Sequence, residues 1–398
     1  MKSTRRGFLS GATAAGLGTA LGLPPADAKA AVRGQEMPFY GSHQAGIATP
    51  AQEHLQFAAF DMVSDSVDDL RGLLRAWSRA ASRIARGKAV GEFQKPDRPP
   101  MDTGEAIGLG PARVTVTFGF GPAIFGVRLG LARFKPSPLI KLPHFSHDAL
   151  KTRFSGGDLA IQVCADDPQV AFHALHDLIR LAHGVARPRW VLAGFGRTGN
   201  TRHGPTPRNL MGFKDGTANI VGEDAAALRR FVWASERESP SWMHGGSYMV
   251  VRRIEIRLGS WDAHSLHDQE AAVGRHKLSG VPLGGHHEHD PINLGAQRHG
   301  SLVIPFDAHV RLASQGYNGG QRILRRGYSY VDGVDGHSAA GGQLFICYQR
   351  DPQSQFIPIQ RRLSRDALNK FTTHVGSAIF ACPPGARAGG YVGEGLLG

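Results

Sequence analysis

Two kinds of hydrophobic pattern alternate through the first half of the chain, and their order restricts the fold more than any other feature. Alternating or β-branched apolar runs predict strands, and apolar residues at helical spacing predict helices. Six such segments follow one another: a strand over 55–63, a helix over 68–84, strands over 113–120 and 159–164, a helix over 168–183 and a strand over 190–195. The predicted order is therefore β-α-β-β-α-β.

This order is that of a ferredoxin-like sandwich, in which helices cover one face of an antiparallel sheet. The second half partly repeats it, with strands expected over 247–258, 344–349 and 372–381 and helical patterns over 261–273 and 351–363. Residues 275–343 are rich in His and Gly and are expected to be mainly loop. We therefore expect an α+β protein of two ferredoxin-like domains, at residues 45–225 and 226–398, each an antiparallel sheet with helices packed on it.

Cysteine is scarce and widely spaced in the 398-residue chain. Cys164, Cys347 and Cys382 form no Cys-x-x-Cys pair and no Cys-x-x-Cys-His site for covalent haem attachment. A chain of this length can bury a large core without disulfides. Its stability is therefore expected to come from hydrophobic packing.

The formal net charge of +13 favours anionic partners. The basic residues are dispersed, however, without a long Lys/Arg run or a basic segment interleaved with aromatic residues. Nucleic-acid binding is therefore not expected. An anionic substrate or cofactor, such as one that carries carboxylates, needs no further motif.

The first 30 residues have the composition of an export signal. Arg5 and Arg6 precede an apolar, Gly-rich stretch over 9–23, and small residues then offer cleavage after Ala28 or Ala30. The segment resembles the twin-arginine signal, whose route exports folded proteins. We expect a signal peptide at residues 1–30 and a periplasmic or secreted mature protein. No later run of 18 apolar residues follows, so no stable membrane insertion is expected after cleavage.

Three segments contain candidate functional residues, but their spacing alone does not decide between a functional and a structural role. Asp215 lies between Gly212 and Gly216, and glycines permit a turn that holds a carboxylate against a planar ligand. From the spacing alone, however, an ordinary Asp-Gly turn is the favoured interpretation. His309 offers an imidazole for haem iron, but a lone His is usually a structural residue. Arg325 is the first of two adjacent arginines that could bind a carboxylate or phosphate or could simply face solvent.

A histidine-rich run is the most evident metal-like cluster. His286, His287 and His289 lie beside acidic residues, with Gly and Pro on either side. Neighbouring residues of an extended chain point in opposite directions, so one ion could take two or three of these ligands at most. A metal-dependent hydrolase is therefore an alternative, and adventitious metal binding is another.

In its motifs and their order, the sequence resembles the dye-decolourising peroxidases, in particular the twin-arginine-exported subfamily that includes periplasmic iron-uptake members. The resemblance extends over residues 45–392. The most specific segments are Gly212 to Gly216, Asp307 to Leu312 and Leu324 to Tyr330, and the supporting ones are Gly104 to Leu109, Thr115 to Phe125, and Gly376 to Phe380 followed by Pro383-Pro384-Gly385.

The resemblance implies one haem b per chain, held in the C-terminal half. It makes His309 the axial ligand of the haem iron on the proximal side. Asp366 corresponds to the carboxylate that accepts the proximal imidazole N–H, and Arg311 is expected to meet a haem propionate.

On the distal side, the resemblance makes Asp215 and Arg325 the catalytic pair. The turn between Gly212 and Gly216 would lie against the cofactor, and Arg325 would also contact it. One carboxylate can take a proton from hydrogen peroxide and return it to the leaving oxygen. A cationic guanidinium can stabilise the negative charge that develops as the O–O bond breaks.

The implied function is that of an exported peroxidase that reduces hydrogen peroxide and oxidises organic donors such as dyes and phenols. Members of the family are commonly homo-oligomers, so a homo-oligomer is implied as well. Two alternatives use the same pocket: release of iron from haem, and non-catalytic haem binding in iron uptake. The residues alone do not separate the first of these from peroxidase activity, whereas simple binding needs neither Asp215 nor Arg325.

Overall fold

The strands that the sequence predicts pair into antiparallel sheets. The computed structural model describes residues 34–91, 96–237 and 239–398, and within these it contains eleven strands. They are β1 (His54–Met62), β2 (Thr115–Phe120), β3 (Leu159–Ala165), β4 (Ala186–Phe195), β5 (Ser247–Ile256), β6 (Gln297–Arg298), β7 (Ser301–Leu302), β8 (Leu324–Arg325), β9 (Tyr328–Asp335), β10 (Ser338–Gln349) and β11 (Thr372–Cys382). The predicted signal peptide at residues 1–30 lies outside the described residues.

The helices complete the pattern. They are α1 (Val67–Ile84), α2 (Pro168–Leu181), α3 (Ala225–Phe231), α4 (Leu258–Asp262), α5 (Leu266–Val273), α6 (His309–Ala313), α7 (Phe356–Arg362) and α8 (Glu394–Leu397). None of the helices that the structure describes is long and apolar enough to cross a membrane.

In the N-terminal half, helices α1 and α2 cover the sheet β2-β3-β1-β4. Helix α1 begins where the Ser66 hydroxyl accepts a hydrogen bond from the Asp69 N–H, and α2 begins where the Asp167 carboxylate accepts from the backbone of Gln169 and Val170. The apolar positions of α1 face the sheet. Among them, the buried Trp77 indole donates to the Leu178 carbonyl of α2 at 2.7 Å and so links the two helices.

In the C-terminal half, the sheet β9-β10-β5-β11 has the same internal order as the first. The two sheets meet edge to edge through single residue pairs, Phe195 with Ser329 and Ala381 with Phe120. Because β5 also pairs with β10 over nine residues, eight strands close into a ring. The predicted α+β architecture with two ferredoxin-like sheets is confirmed.

The C-terminal sheet has one face inside this ring and one outside. On β10, Leu344, Ile346 and Tyr348 are fully buried in the core between the sheets. The alternate residues Gln343 and Phe345 line a large cavity on the outer face. The two-residue repeat of the strand therefore divides packing residues from cavity residues.

Two predicted segments differ from the structure. The interval 275–343 was expected to be mainly loop, but residues 328–335 and 338–343 form a β-hairpin. Most of its tip is exposed and contains Gly333 and Gly336, so it lacks the apolar alternation that signals a strand. The helical pattern over 261–273 is broken into α4 and α5, because Ser265 caps a new helix through the Asp268 N–H.

Two glycine substitutions should change the stability in opposite directions. A Cβ on Gly342 of β10 would lie 1.8 Å from the Ile254 carbonyl oxygen of β5, so Gly342→Ala must push these paired strands apart. We expect it to lower the free energy of unfolding by about 1–3 kcal/mol. Gly72 lies in α1 with open space around it, so Gly72→Ala should raise that free energy by about 1 kcal/mol. Urea denaturation measures both changes, and a stabilising Gly342→Ala would contradict the close approach of the strands.

Candidate active site

A cavity of about 650 Å³ lies on the outer face of the C-terminal sheet. The strands provide its floor, while the 209–218 turn, the 289–294 segment and helices α6 and α7 form its walls. Much of the lining is apolar: Ile254, Ile256, Val273, Leu294, Ile323, Phe345, Phe356, Ile359 and Leu368. This size and lining are typical of a pocket for a cofactor or a small molecule.

His309 lines this cavity, and one of its ring nitrogens already has a hydrogen-bond partner. It is the first residue of α6, and its Nδ1 lies 2.5 Å from Asp366 Oδ2. Asp366 is itself fixed, because its other oxygen accepts from the Leu368 N–H at 2.9 Å. A carboxylate accepts the Nδ1 proton, so the Nε2 lone pair is left as a potential metal ligand. The His309 side chain is 38% exposed, whereas that of Asp366 is 5% exposed.

The electrostatics of His309 connect it with the opposite wall. Burial lowers the pKa of His309, but the Asp366 carboxylate outweighs this effect and the net pKa is raised above its usual value. The charges of Arg325 and Asp215 also act on this pKa, in opposite directions. The charges of Asp366, Arg325 and Asp215 thus all act on the pKa of His309. These four residues line the same cavity.

Asp215 and Arg325 form an ion pair across the cavity wall. Arg325 Nη1 donates to Asp215 Oδ1 at 2.5 Å, and Gln343 Nε2 donates to Asp215 Oδ2 at 3.0 Å. Both oxygens of the carboxylate are therefore held, each by a donor from a different strand. Gln343 was not among the predicted site residues, because a lone Gln in a glycine-rich strand gives no sequence signal.

The turn that carries Asp215 requires both predicted glycines. Gly212 has φ +82° and Gly216 has φ +127°, which are conformations that other residues rarely adopt. At Gly216, a Cβ would lie 2.5 Å from the backbone nitrogen of Gly199. The Gly199 N–H also donates to the Asp215 carbonyl at 2.9 Å. The packed backbone therefore fixes the position of Asp215.

Asn219 is a residue of the site that the sequence analysis missed. Its amide oxygen accepts from the Arg325 N–H at 2.9 Å, and its amide nitrogen donates to the Arg325 carbonyl at 2.8 Å. The same nitrogen donates to the Gly199 carbonyl at 2.8 Å. Asn219 thereby connects the Asp215 turn to the strand of Arg325. Its partner lies 106 residues away, so local sequence gives no indication of it.

The structure does not bring Arg311 to the cavity. Its guanidinium donates to the carbonyls of Leu294, Ile304 and Pro305, and the residue does not belong to the cavity lining. The expectation that Arg311 meets a carboxylate of the cofactor is therefore not supported, because the residue does not line the cavity. Arg275 and Arg322 do line the cavity, and neither was predicted.

The histidine-rich run does not form a metal site among the described residues. The Asp290 carboxylate accepts from the backbone of His286 and His287, and Glu288 pairs with Lys214. His289 alone of the three histidines lines the cavity. The alternative of a metal-dependent hydrolase at this run therefore has no support in the geometry.

A buried histidine on β11 completes the polar lining. His374 accepts a hydrogen bond from Arg252 Nε at 3.3 Å, and Arg252 also pairs with the buried Asp148. Burial, together with the charges of Arg252 and His147, lowers the pKa of His374 to about 3. His374 is therefore neutral in the folded protein at physiological pH.

Comparison with known proteins links these features to a family. The family model described as "Dyp-type peroxidase, N-terminal" matches residues 44–196, and "Dyp-type peroxidase, C-terminal" matches residues 206–387. A protein named Deferrochelatase from Escherichia coli O6:K15:H31 is 37% identical over 373 residues, which cover 92% of this chain and 88% of that protein.

Solved structures give the same result. DtpA from Streptomyces lividans, solved as an oxyferrous/water mixed complex, is 42% identical with a TM-score of 0.85, over 92% of this chain and 99% of that one. A DyP-type peroxidase from Streptomyces coelicolor is also 42% identical with a TM-score of 0.85, over 92% and 98% of the two chains.

The low pKa of His374 predicts a pH dependence of stability. Between pH 3 and 6.5 the unfolded chain binds a proton at this residue and the folded chain does not, so the free energy of unfolding falls as the pH falls. His374→Asn keeps an acceptor for Arg252 but removes the titration. We expect it to reduce the pH slope by up to about 1.4 kcal/mol per pH unit in this window.

Urea denaturation at a series of pH values measures this slope. The exposed His183 provides the matched control, because His183→Asn should leave the slope unchanged. Equal slopes in the wild-type protein and His374→Asn would contradict the low pKa.

Proposed function

The chain belongs to the Dyp-type peroxidase family, and on that premise we propose that it is a haem-dependent peroxidase with His309 as iron ligand and Asp215 and Arg325 as catalytic residues. One observation carries the assignment of the residues. The imidazole backed by Asp366 and the Asp215–Arg325 pair line the same cavity of about 650 Å³.

The residues of the cavity fit a haem. A flat macrocycle requires apolar walls, and the strand and helix residues of the lining provide them. Its iron requires an imidazole lone pair, which the Asp366 hydrogen bond leaves on His309 Nε2. Its carboxylates require cations, and Arg275 and Arg322 in the lining supply two. We propose these two in place of Arg311.

Asp366 keeps His309 in the state that a metal requires. Its carboxylate holds the Nδ1 proton, fixes the ring orientation and makes the imidazole a stronger donor. When bound, haem supplies the iron that binds hydrogen peroxide and exchanges electrons with it. Organic donors such as dyes or phenols supply the two electrons that, with two protons, convert hydrogen peroxide into two molecules of water.

Asp215 moves the proton of the peroxide. A carboxylate oxygen can accept a proton from one peroxide oxygen and return it to the other, so one residue acts first as base and then as acid. Arg325 stays cationic and donates N–H groups to the oxygen on which negative charge develops. Gln343 holds the second oxygen of Asp215 during the transfer, and Asn219 positions Arg325 through its backbone.

A second candidate, the release of iron from haem, has support from one comparison. The 37% identical relative is named Deferrochelatase. Both activities would use the same pocket, because both require haem in contact with the same residues. They differ in the product, since only iron release yields a porphyrin without metal.

We also infer that residues 1–30 direct export by the twin-arginine route, to the periplasm or beyond it. The support is the Arg5-Arg6 pair ahead of the weakly apolar stretch and the small residues around Ala28.

The peroxidase assignment predicts distinct effects for the two sides of the cavity. His309→Ala should lose or displace the Soret band, because the iron ligand is gone. Asp215→Asn and Arg325→Leu should keep the band but lower kcat/KM for hydrogen peroxide by about 10²–10⁴-fold. The measurements are visible spectra before and after one equivalent of peroxide and stopped-flow rates per bound haem.

Arg322→Leu is the matched control for Arg325→Leu, because both remove a cavity arginine. It should weaken haem binding and leave the peroxide rate per bound haem unchanged. Purified protein that shows no Soret band even after haem is added would rule out the assignment.

The fate of the haem distinguishes iron release, the second candidate, from peroxidase activity. Under turnover with peroxide and an organic donor, a peroxidase keeps its haem and consumes peroxide. Iron release instead forms one metal-free porphyrin for each iron released, which fluorescence and an iron chelator measure. Porphyrin formation in proportion to released iron, in the absence of peroxide, would favour the second candidate.

A further inference from the structure

A buried cluster of titratable side chains lies in the N-terminal half, apart from the cavity. His173 and Asp177 are one turn apart on α2 and so share one face of the helix. Asp102 and Glu105 come from the loop that precedes β2. None of the four belongs to the cavity lining, and the proposed peroxidase mechanism uses none of them.

Three potential ligand atoms of the cluster converge without bonding to one another. His173 Nε2 lies 3.6 Å from Asp102 Oδ2 and 3.6 Å from Asp177 Oδ2. Each of the three residues offers one ligand atom within 4.8 Å of those of the other two. A separation of 3.6 Å is too long for a hydrogen bond. It is close to the spacing between two ligands that each bind one cation at about 2.0–2.2 Å.

The burial of the cluster leaves one oxygen unsatisfied. Asp102, His173 and Asp177 are 1%, 4% and 1% exposed, and Asp177 Oδ2 has no hydrogen-bond partner. The other oxygen of Asp177 accepts from the Thr103 N–H and from Arg180. Asp102 accepts from the Gly104 N–H through Oδ1 and from the Val90 N–H through Oδ2. An unpaired buried carboxylate oxygen close to a second carboxylate is costly unless a cation or a proton lies between them.

Glu105 sets the orientation and protonation of His173. Its Oε2 lies 2.9 Å from His173 Nδ1, and its Oε1 lies 2.7 Å from His176 Nδ1. Because a carboxylate only accepts, Nδ1 of His173 carries a proton, and Nε2 lies on the side of the two aspartates. In the neutral ring, the lone pair of Nε2 is therefore free to bind a cation there. A carboxylate behind a histidine that faces further ligands is the usual outer support of a metal-bound histidine.

We propose that Asp102, His173 and Asp177 bind one divalent first-row transition-metal cation, with Glu105 as the residue that positions His173. One imidazole with two carboxylates suits zinc, manganese or ferrous iron, whereas calcium prefers oxygen ligands alone. The ion would join the loop of Asp102 to helix α2. This site is independent of the haem cavity and does not rest on the peroxidase assignment.

The test measures metal binding by the full-length haem-loaded protein. After treatment with a chelator, the protein is dialysed against Zn²⁺ or Mn²⁺ alone and the bound metal is counted by mass spectrometry. The wild-type protein should bind one more equivalent than Asp177→Asn or His173→Gln, and these variants should bind the metal at least tenfold more weakly. His183→Gln, the same substitution just beyond the end of the same helix, should bind as the wild type does.

Two results would overturn the proposal. The first is a wild-type protein that binds no more Zn²⁺ or Mn²⁺ than Asp177→Asn, which would identify the cluster as a protonated histidine held between aspartates. The second is the absence of an anomalous Mn²⁺ peak between His173 and Asp177 in crystals soaked with manganese. This second measurement needs no variant, so it decides even if the variants fail to fold.

Discussion

The pleat of strand β10 determines which of its side chains pack in the core and which line the cavity. Successive side chains of a strand point to opposite faces, so Leu344 and Ile346 enter the core between the two sheets while Gln343 and Phe345 face the cavity. A shift of one residue in the pairing with β5 would exchange the two sets. Gly342 maintains this register, because its missing side chain lets the backbone of β5 approach.

The same alternation assigns different roles to two adjacent arginines. Arg325 points into the cavity and pairs with Asp215, whereas Arg326 is fully buried on the other side and donates to the Thr49 carbonyl and to Gln52. Each guanidinium has its own acceptors, and only that of Arg326 is withdrawn from solvent. The pair Arg325-Arg326 therefore serves catalysis with its first residue, as we propose, and connects the two halves of the molecule with its second.

Sequence patterns predicted the parts of the fold that have strong periodicity. The runs around Leu55 and Trp77 gave the correct strand and helix. The helix buries its apolar residues in one core, and the strand divides its apolar residues between two cores, one on each face of the sheet. The β9–β10 hairpin was missed, since its exposed tip needs no apolar alternation.

Among the site residues, Asp215, His309, Arg325 and Asp366 could be found from motifs that the resemblance supplied. Asn219 and Gln343 could not, because each acts through partners that only the folded chain brings close. The domain boundary and the signal peptide stay predictions.

The way in which Asp215 is held is compatible with the proton transfer that we propose for it. Its backbone is locked by hydrogen bonds to Pro207 and Gly199 and by a turn that only glycine permits at Gly216. Within the described residues its carboxylate accepts from side chains alone, a charged donor on Oδ1 and a neutral donor on Oδ2. A ligand that enters between Asp215 and Arg325 can replace the charged contact while Gln343 keeps the carboxylate in place. Such an arrangement lets the ion pair open without moving the backbone, as the proposed role of Asp215 in accepting and returning one proton requires.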